Sequence, residues 1–342
     1  MKTGTHDHSK LDQTITASMQ RAAIPGVACA LVAEDTIPYA RVFGVEQTSA
    51  ERALTPDTLF QAASLSKPVF AYLVFRLIEQ DILSLDRPLA DYWRDPTFHD
   101  ARTFLITARH VLSHTTGFPN WRDEASFEIV WTPGERFGYS GEGYEYLQHV
   151  IEHLMGQPLH VVINALVLRP LGMTHSTFAW PTDVAGNFQE DDEGNVVPGT
   201  DLATSSAAFS LLTTAHDYAR FLRTMLQPDT DDAAHLSAAS IQTMLTPQIA
   251  VGHWSTLHWG VGWGIQQTNW GDAFWHWGGA QNGYMNYVIG FPHLRLGLVL
   301  LTNSEHGLEI CDEVTQAAFG AHIDQPAFEW LLPFDRWTSH PV

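Results

Sequence analysis

Cysteine is almost missing from this chain: Cys29 and Cys311 are the two among 342 residues. They lie far apart in apolar surroundings with no Cys-x-x-Cys spacing, which excludes a disulfide scaffold and predicts two buried thiols. Charge is sparse as well, at 16% of residues, and lopsided: 38 acidic against 18 basic side chains leave a formal net charge of −20. A field of that sign repels phosphate backbones and anionic lipid, so neither nucleic acid nor a membrane is expected as a partner. No apolar run approaches the roughly 20 residues of a bilayer span. The stretch Met1 to Lys10 is polar and lacks the apolar core of a secretory signal, so a cytoplasmic location is expected.

Hydrophobic residues make up 45% of the chain, an ordinary globular share at a length that supports a large core. The apolar positions Leu11, Ile15, Met19 and Ala22 or Ala23 follow helical spacing up to Pro25-Gly26. Val27 to Val32 and Ile37 to Val45 read as a hairpin around Glu34-Asp35. Helices are predicted from Ser64, over Ile106 to Ser113, Glu142 to Met155 and Leu159 to Leu168, from a Thr213 or Thr214 cap to Leu226, and over Ser237 to Leu245. Beyond these the composition turns to strand: Gly260 to Gln267, Ala273 to Trp277, Tyr284 to Phe291 and Leu294 to Thr302, then a closing helix from Leu308 to Phe319. Strands at both ends with helices between predict a mixed α/β fold. In it both termini build one sheet flanked by helices, and a helical region is inserted. The expected division is a disordered tail at 1–10, a discontinuous α/β region at 11–88 and 225–342, and a helical region at 89–224. The polar stretch 181–201 reads as a surface excursion.

Ser64-Leu65-Ser66-Lys67 heads an apolar stretch, and on a helix positions i and i+3 share a face. A serine hydroxyl is a weak nucleophile at neutral pH and needs a base, which an amine one turn away can supply. The motif is short, and its weight comes from two companions placed downstream in a set order: Tyr139-Ser140-Gly141 before a helix, and His276-Trp277-Gly278-Gly279 on a C-terminal strand. This ordered set resembles the serine β-lactamase and penicillin-binding-protein superfamily. The likeness is closest to the class C-like branch that also holds serine esterases and D-aminopeptidases. Ile24-Pro25-Gly26, Leu59 to Lys67, Ile106 to Gly117 and Pro133 to Ser140 match that branch too, so the resemblance runs over about residues 11–325, with an antiparallel sheet.

The resemblance implies Ser64 as nucleophile, Lys67 and Tyr139 as a coupled general base and acid, and the backbone N–H groups of Ser64 and Gly279 as the oxyanion hole. It places His276, Trp277 and Gly278 at the substrate. Trp121, Trp275, Phe118 and Trp180 are possible aromatic neighbours, and of these Trp121 is expected to bind substrate. Two departures narrow the substrate. Gly141 stands where β-lactam-hydrolysing relatives usually have Asn, and His276 where they have Lys. An imidazole is only partly charged near pH 7 and anchors a carboxylate weakly. Short-chain ester hydrolysis is therefore expected, without cofactor or metal. A D-alanyl peptidase or D-aminopeptidase, a weak β-lactamase, and an acylated sensor module are the alternatives.

Other signals are set aside. Lys2-Thr3-Gly4 spells a β-lactamase strand motif but precedes the serine and sits in the polar tail. His149-Val150-Ile151-Glu152-His153 spells an inverted zinc-protease motif, on a helix whose apolar residues point to packing. Gly138-Tyr139-Ser140-Gly141-Glu142 misses the Gly-x-Ser-x-Gly elbow at its last position. His114 is read as bonding the loop after it.

Overall fold

The six residues Val27 to Val32 are apolar without alternation because their strand, Gly26–Ala33, is covered on both faces. The computed structural model describes residues 8–47, 52–122, 128–180, 188–190, 196–198, 205–227, 232, 234–280 and 283–332. In it this strand lies inside a nine-stranded antiparallel sheet. The strand order is Arg52–Ala53, Thr36–Gln47, Gly26–Ala33, Leu296–Thr302, Tyr284–Phe291, Gly271–Ala280, Gly264–Thr268, Leu257–Trp259 and Ile249–Ala250. The two ends of the chain meet where Val27 faces Thr302 and Ala33 faces Leu296.

The period-2 rule sorts the two faces. On one, Val27, Cys29, Leu300, Trp275 and Tyr287 form a core with Ile15 of the helix Ser9–Arg21, Val314 of Cys311–Phe319 and Phe328 of Pro326–Leu331. Cys29 and Cys311 both belong to it as buried free thiols. On the other face, Ala28, Ala30, Val288 and Val299 pack with the helices Ser66–Glu79 and Ala215–Leu226. Ser66–Glu79 is apolar around its circumference, as a fully enclosed helix must be. Its far side meets the helices Ala108–Leu112, Gly141–Met155 and Leu159–Ile163, the last continuing as a π turn over Asn164–Leu168.

Two short ladders accompany the helices: Phe60–Gln61 with Leu212–Thr213, and Phe188–Glu190 with Val196–Pro198. Ser9 and Lys10 already belong to the first helix. Residues 1–7, with Lys2-Thr3-Gly4, lie outside the described residues, as does most of the excursion at 181–201. Among the described residues no single helix is long and apolar enough to cross a membrane.

Candidate active site

The site begins with a strained residue. Ala63 holds φ at 48°, a region that costs an L side chain about 1–3 kcal/mol and persists only where its surroundings fix it. It opens the tight turn Ala63–Leu65, from which the helix Ser66–Glu79 departs. The turn is pressed against the strand Gly271–Ala280. A side chain at Gly278 would put its Cβ 2.0 Å from the Ala62 carbonyl oxygen, so only glycine lets the two backbones meet there. Ser64 is left half-buried at the head of the helix.

Lys67, one turn on, is fully buried. Its Nζ donates to Ser64 Oγ at 3.1 Å and to the Ala208 carbonyl at 2.9 Å. Burial lowers the lysine pKa to about 7, with Glu145 pulling it back up. A large fraction of the amine is thus neutral near neutral pH. Glu145 is itself pushed up by burial, and Ser206 donates to its carboxylate. The segment Ser205–Ser210 is tied further by Gln148, which takes the Ala207 N–H at 2.7 Å and donates to the Ser205 carbonyl at 2.7 Å.

Tyr139 comes from the loop before the helix Gly141–Met155. Ser140 caps that helix: its Oγ accepts from Gly143 N at 3.1 Å and donates to the Pro119 carbonyl at 2.7 Å. That bonding consumes the Ser140 hydroxyl in a structural role. The Tyr139 ring lies with its centroid 4.9 Å from Lys67 Nζ and 4.9 Å from the Trp277 ring. Its hydroxyl is enclosed and makes no hydrogen bond of normal geometry among the described residues. Burial drives its pKa up, and Ser64 is the group that draws it down. Ser64, Lys67 and Tyr139 are therefore brought together.

His276 is also buried, and its Nδ1 donates to the Trp277 carbonyl at 2.6 Å. Burial, with the nearby Lys67, lowers its pKa to about 3. This corrects the expectation of a partly charged imidazole: a surface value near 6.5 does not survive enclosure among Tyr139, Trp259, Trp263 and Trp277. Trp277 is half-buried between Tyr139 and Trp330, whose ring centroid is 5.2 Å away. Gly279 is exposed, and the close approach to the serine turn falls at Gly278. Trp121 is 49% exposed and meets Phe209 edge-on at 5.8 Å. Its indole lies over Gly141, where a Cβ would sit 2.4 Å from Cη2. The missing side chain at 141 is thus the space that Trp121 occupies. Trp275, Phe118 and Trp180 are buried core residues, and Trp180 Nε1 donates to the Ser210 carbonyl at 2.5 Å.

The histidines of the zinc-protease-like stretch, and His110 four residues before His114, go to other tasks. His149 faces Glu152 at 3.5 Å, and His110 completes a capping box with Thr107. Among the described residues no three His, Cys, Asp or Glu side chains are grouped to hold a metal. A cavity of about 450 Å³ lined by Glu145, Gln148, His149, Glu152 and His160 touches none of Ser64, Lys67 or Tyr139. Glu145, the Ala208 carbonyl and the Phe209 ring are not legible in the sequence as site residues. They belong to no motif, and a backbone carbonyl leaves no mark on a sequence.

Residues 11–320 match the family model described as Beta-lactamase. Among curated proteins, the chain is 28% identical over 201 residues to Esterase EstB of Burkholderia gladioli, covering 50% of this chain and 51% of that one. It is 26% identical over 335 residues to Penicillin-binding protein 4* of Bacillus subtilis, covering 85% and 71%. Among solved structures, the octameric penicillin-binding protein homologue from Pyrococcus abyssi superposes with a TM-score of 0.78 at 25% identity, over 93% of this chain and 78% of that one. With the match spanning nearly the whole chain and the sheet and serine turn arranged as described, the protein belongs to the beta-lactamase family of serine hydrolases.

Proposed function

We propose that the protein is an esterase that acts through a covalent acyl-enzyme on Ser64. The observation that carries this reading is the buried Lys67 amine, its pKa near 7, in hydrogen-bond contact with the Ser64 hydroxyl. Ser64 Oγ attacks the ester carbonyl and its proton passes to the Lys67–Tyr139 pair. The oxyanion forms against the backbone N–H groups of Ser64 and Gly279. The tetrahedral intermediate collapses, the pair returns the proton to the departing alkoxide, and the alcohol leaves. Water then attacks the acyl carbonyl, the same pair takes its proton and hands it to Ser64 Oγ as that bond breaks, and the acid is released with the serine hydroxyl restored. Side chains and backbone supply every group, and no cofactor or metal enters.

The preference for a neutral substrate rests on charge. His276, at the position where β-lactam-hydrolysing relatives usually carry Lys, is held neutral, so it offers no cation to a substrate carboxylate. Trp121, Phe209 and Trp277 instead offer aromatic surface to an apolar acyl or alcohol group. One relative is named an esterase, which supports the ester reading, and another a penicillin-binding protein, which keeps the amide alternatives in the test. The test is a profile of p-nitrophenyl esters of increasing acyl length, D-amino-acid amides and nitrocefin, with Ser64→Ala as control. Ester turnover that vanishes in Ser64→Ala, with fluorophosphonate labelling lost, is the expected result. Fast nitrocefin or D-amide turnover with inert esters overturns the ester assignment, and turnover unchanged in Ser64→Ala overturns the nucleophile. A one-equivalent burst without turnover identifies an acylated sensor.

A further inference from the structure

His114 holds the loop on both sides of Tyr139. Its Nδ1 accepts the Ser140 N–H at 3.1 Å, and its carbonyl accepts the Gly138 N–H at 2.8 Å. Its ring stacks on the Tyr139 ring at a centroid distance of 4.2 Å and 30° between planes. These three contacts reach the residue before, the residue after and the phenol itself, from a position 25 residues earlier (139 − 114). His114 pays for this with a backbone φ of 55° and a side chain that is completely buried. Trp259 and Tyr144 close around the ring at 5.1 and 5.3 Å. Because Nδ1 accepts, the ring is neutral with its proton on Nε2, and burial beside Lys67 and His276 keeps it so.

We propose that His114 is a positioning residue for Tyr139, fixing the reach of the phenol to Ser64 through the Ser140 amide and the stacked ring. This rests on the reading of Tyr139 as acid and base. A loop without regular hydrogen bonding gives its tip several positions, and a misplacement of about 1 Å at a reacting group costs roughly 10²-fold in rate. The sharp backbone at 114 supplies a way to separate this role from mere folding, because Asn and Gly both tolerate φ near 55°. The Oδ1 atom of Asn falls near the place of the imidazole Nδ1 and can take the same N–H. Gly leaves that N–H unmet.

The experiment compares His114→Asn, His114→Gly and Tyr139→Phe with the parent, measuring kcat and KM on the best ester together with thermal midpoints. The expected result is kcat lowered roughly 10²-fold in His114→Gly with KM little changed, and most of that loss recovered in His114→Asn. Equal kcat in the folded Asn and Gly variants, whether both high or both low, overturns the proposal. If His114→Gly does not fold, His114→Ala replaces it, since Ala63 already shows alanine in that backbone region. Tyr139→Phe separates the two readings. Full activity there removes the acid–base role of Tyr139 whatever His114 does. An inactive Tyr139→Phe beside a fully active His114→Gly leaves that role standing and removes the positioning role.

Discussion

Lys67 Nζ stands 3.1 Å from Ser64 Oγ while no part of the lysine side chain reaches solvent. Its proton is therefore easily lost, at a pKa of about 7 against 10.5 for a free lysine. On the proposed reading the Lys67–Tyr139 pair takes the Ser64 proton only while the amine is neutral, so kcat/KM should rise with pH and level off above about 7. A pH profile on an ester whose chemistry is rate-limiting checks this; an acid limb centred near the free-lysine value would place the lysine charge in water. Lys67→Met should abolish turnover and still yield folded protein, gaining roughly 0.5–2 kcal/mol because a buried ionisable group is replaced by an apolar one.

Glu145 is the acidic group that raises the Lys67 pKa against burial. Glu145→Gln removes that charge and keeps an acceptor for Ser206. The acid limb of the pH profile should move to lower pH, with the plateau reduced less than tenfold. A limb that stays in place would show that the carboxyl is neutral in the working enzyme, and one that moves upward would overturn the coupling.

His276 is neutral in the fold, with a pKa of about 3. Unfolded, it titrates near 6.5. Between those values the unfolded chain binds more protons than the folded one, so stability falls as pH drops from about 6.5 toward 3. About two pH units below 6.5 the loss from this residue is on the order of 2–3 kcal/mol. Urea unfolding at neutral pH and again about two units below the unfolded pKa should show it, and His276→Gln should remove that share of the difference. His114, also pushed down by burial, contributes in the same direction.

How much of the molecule is legible in its sequence depends on whether the information is local. The one-turn spacing of Ser64 and Lys67 is local, although Ser64 sits in the tight turn Ala63–Leu65 ahead of the helix and the motif gains weight only from its companions; the strands at 27–32 and 284–291 follow from their apolar runs. The arrival of Tyr139 beside them is reached only through resemblance, because contacts between residues more than 70 apart leave no periodic trace. The short strands Arg52–Ala53, Ile249–Ala250 and Leu257–Trp259 escape a reading by period, since two or three residues carry no alternation. The charge of His276 escapes it too, because a pKa depends on enclosure, which the sequence does not print. The sequence reading has His114 bonding the loop directly after it; its ring instead takes the N–H of Ser140, a partner too distant in sequence to be read locally.

The contact between Trp121 and Gly141 gives the sharpest test of the pocket. Relatives that hydrolyse β-lactams usually carry an Asn amide at that third motif position, and here the indole fills the space. Gly141→Asn should force the exposed Trp121 ring outward and lower kcat/KM for aromatic or longer-chain esters. Trp121→Ala alone should raise KM for the same esters by removing an apolar wall. Combined, the two changes should cost less than their sum, because the alanine frees the volume that the new side chain needs. Residues in contact couple by roughly 0.5–3 kcal/mol, well above the spread between independent sites. A double-mutant cycle on kcat/KM measures it. Simple additivity within about 0.5 kcal/mol would mean that the indole does not lie over position 141 during catalysis.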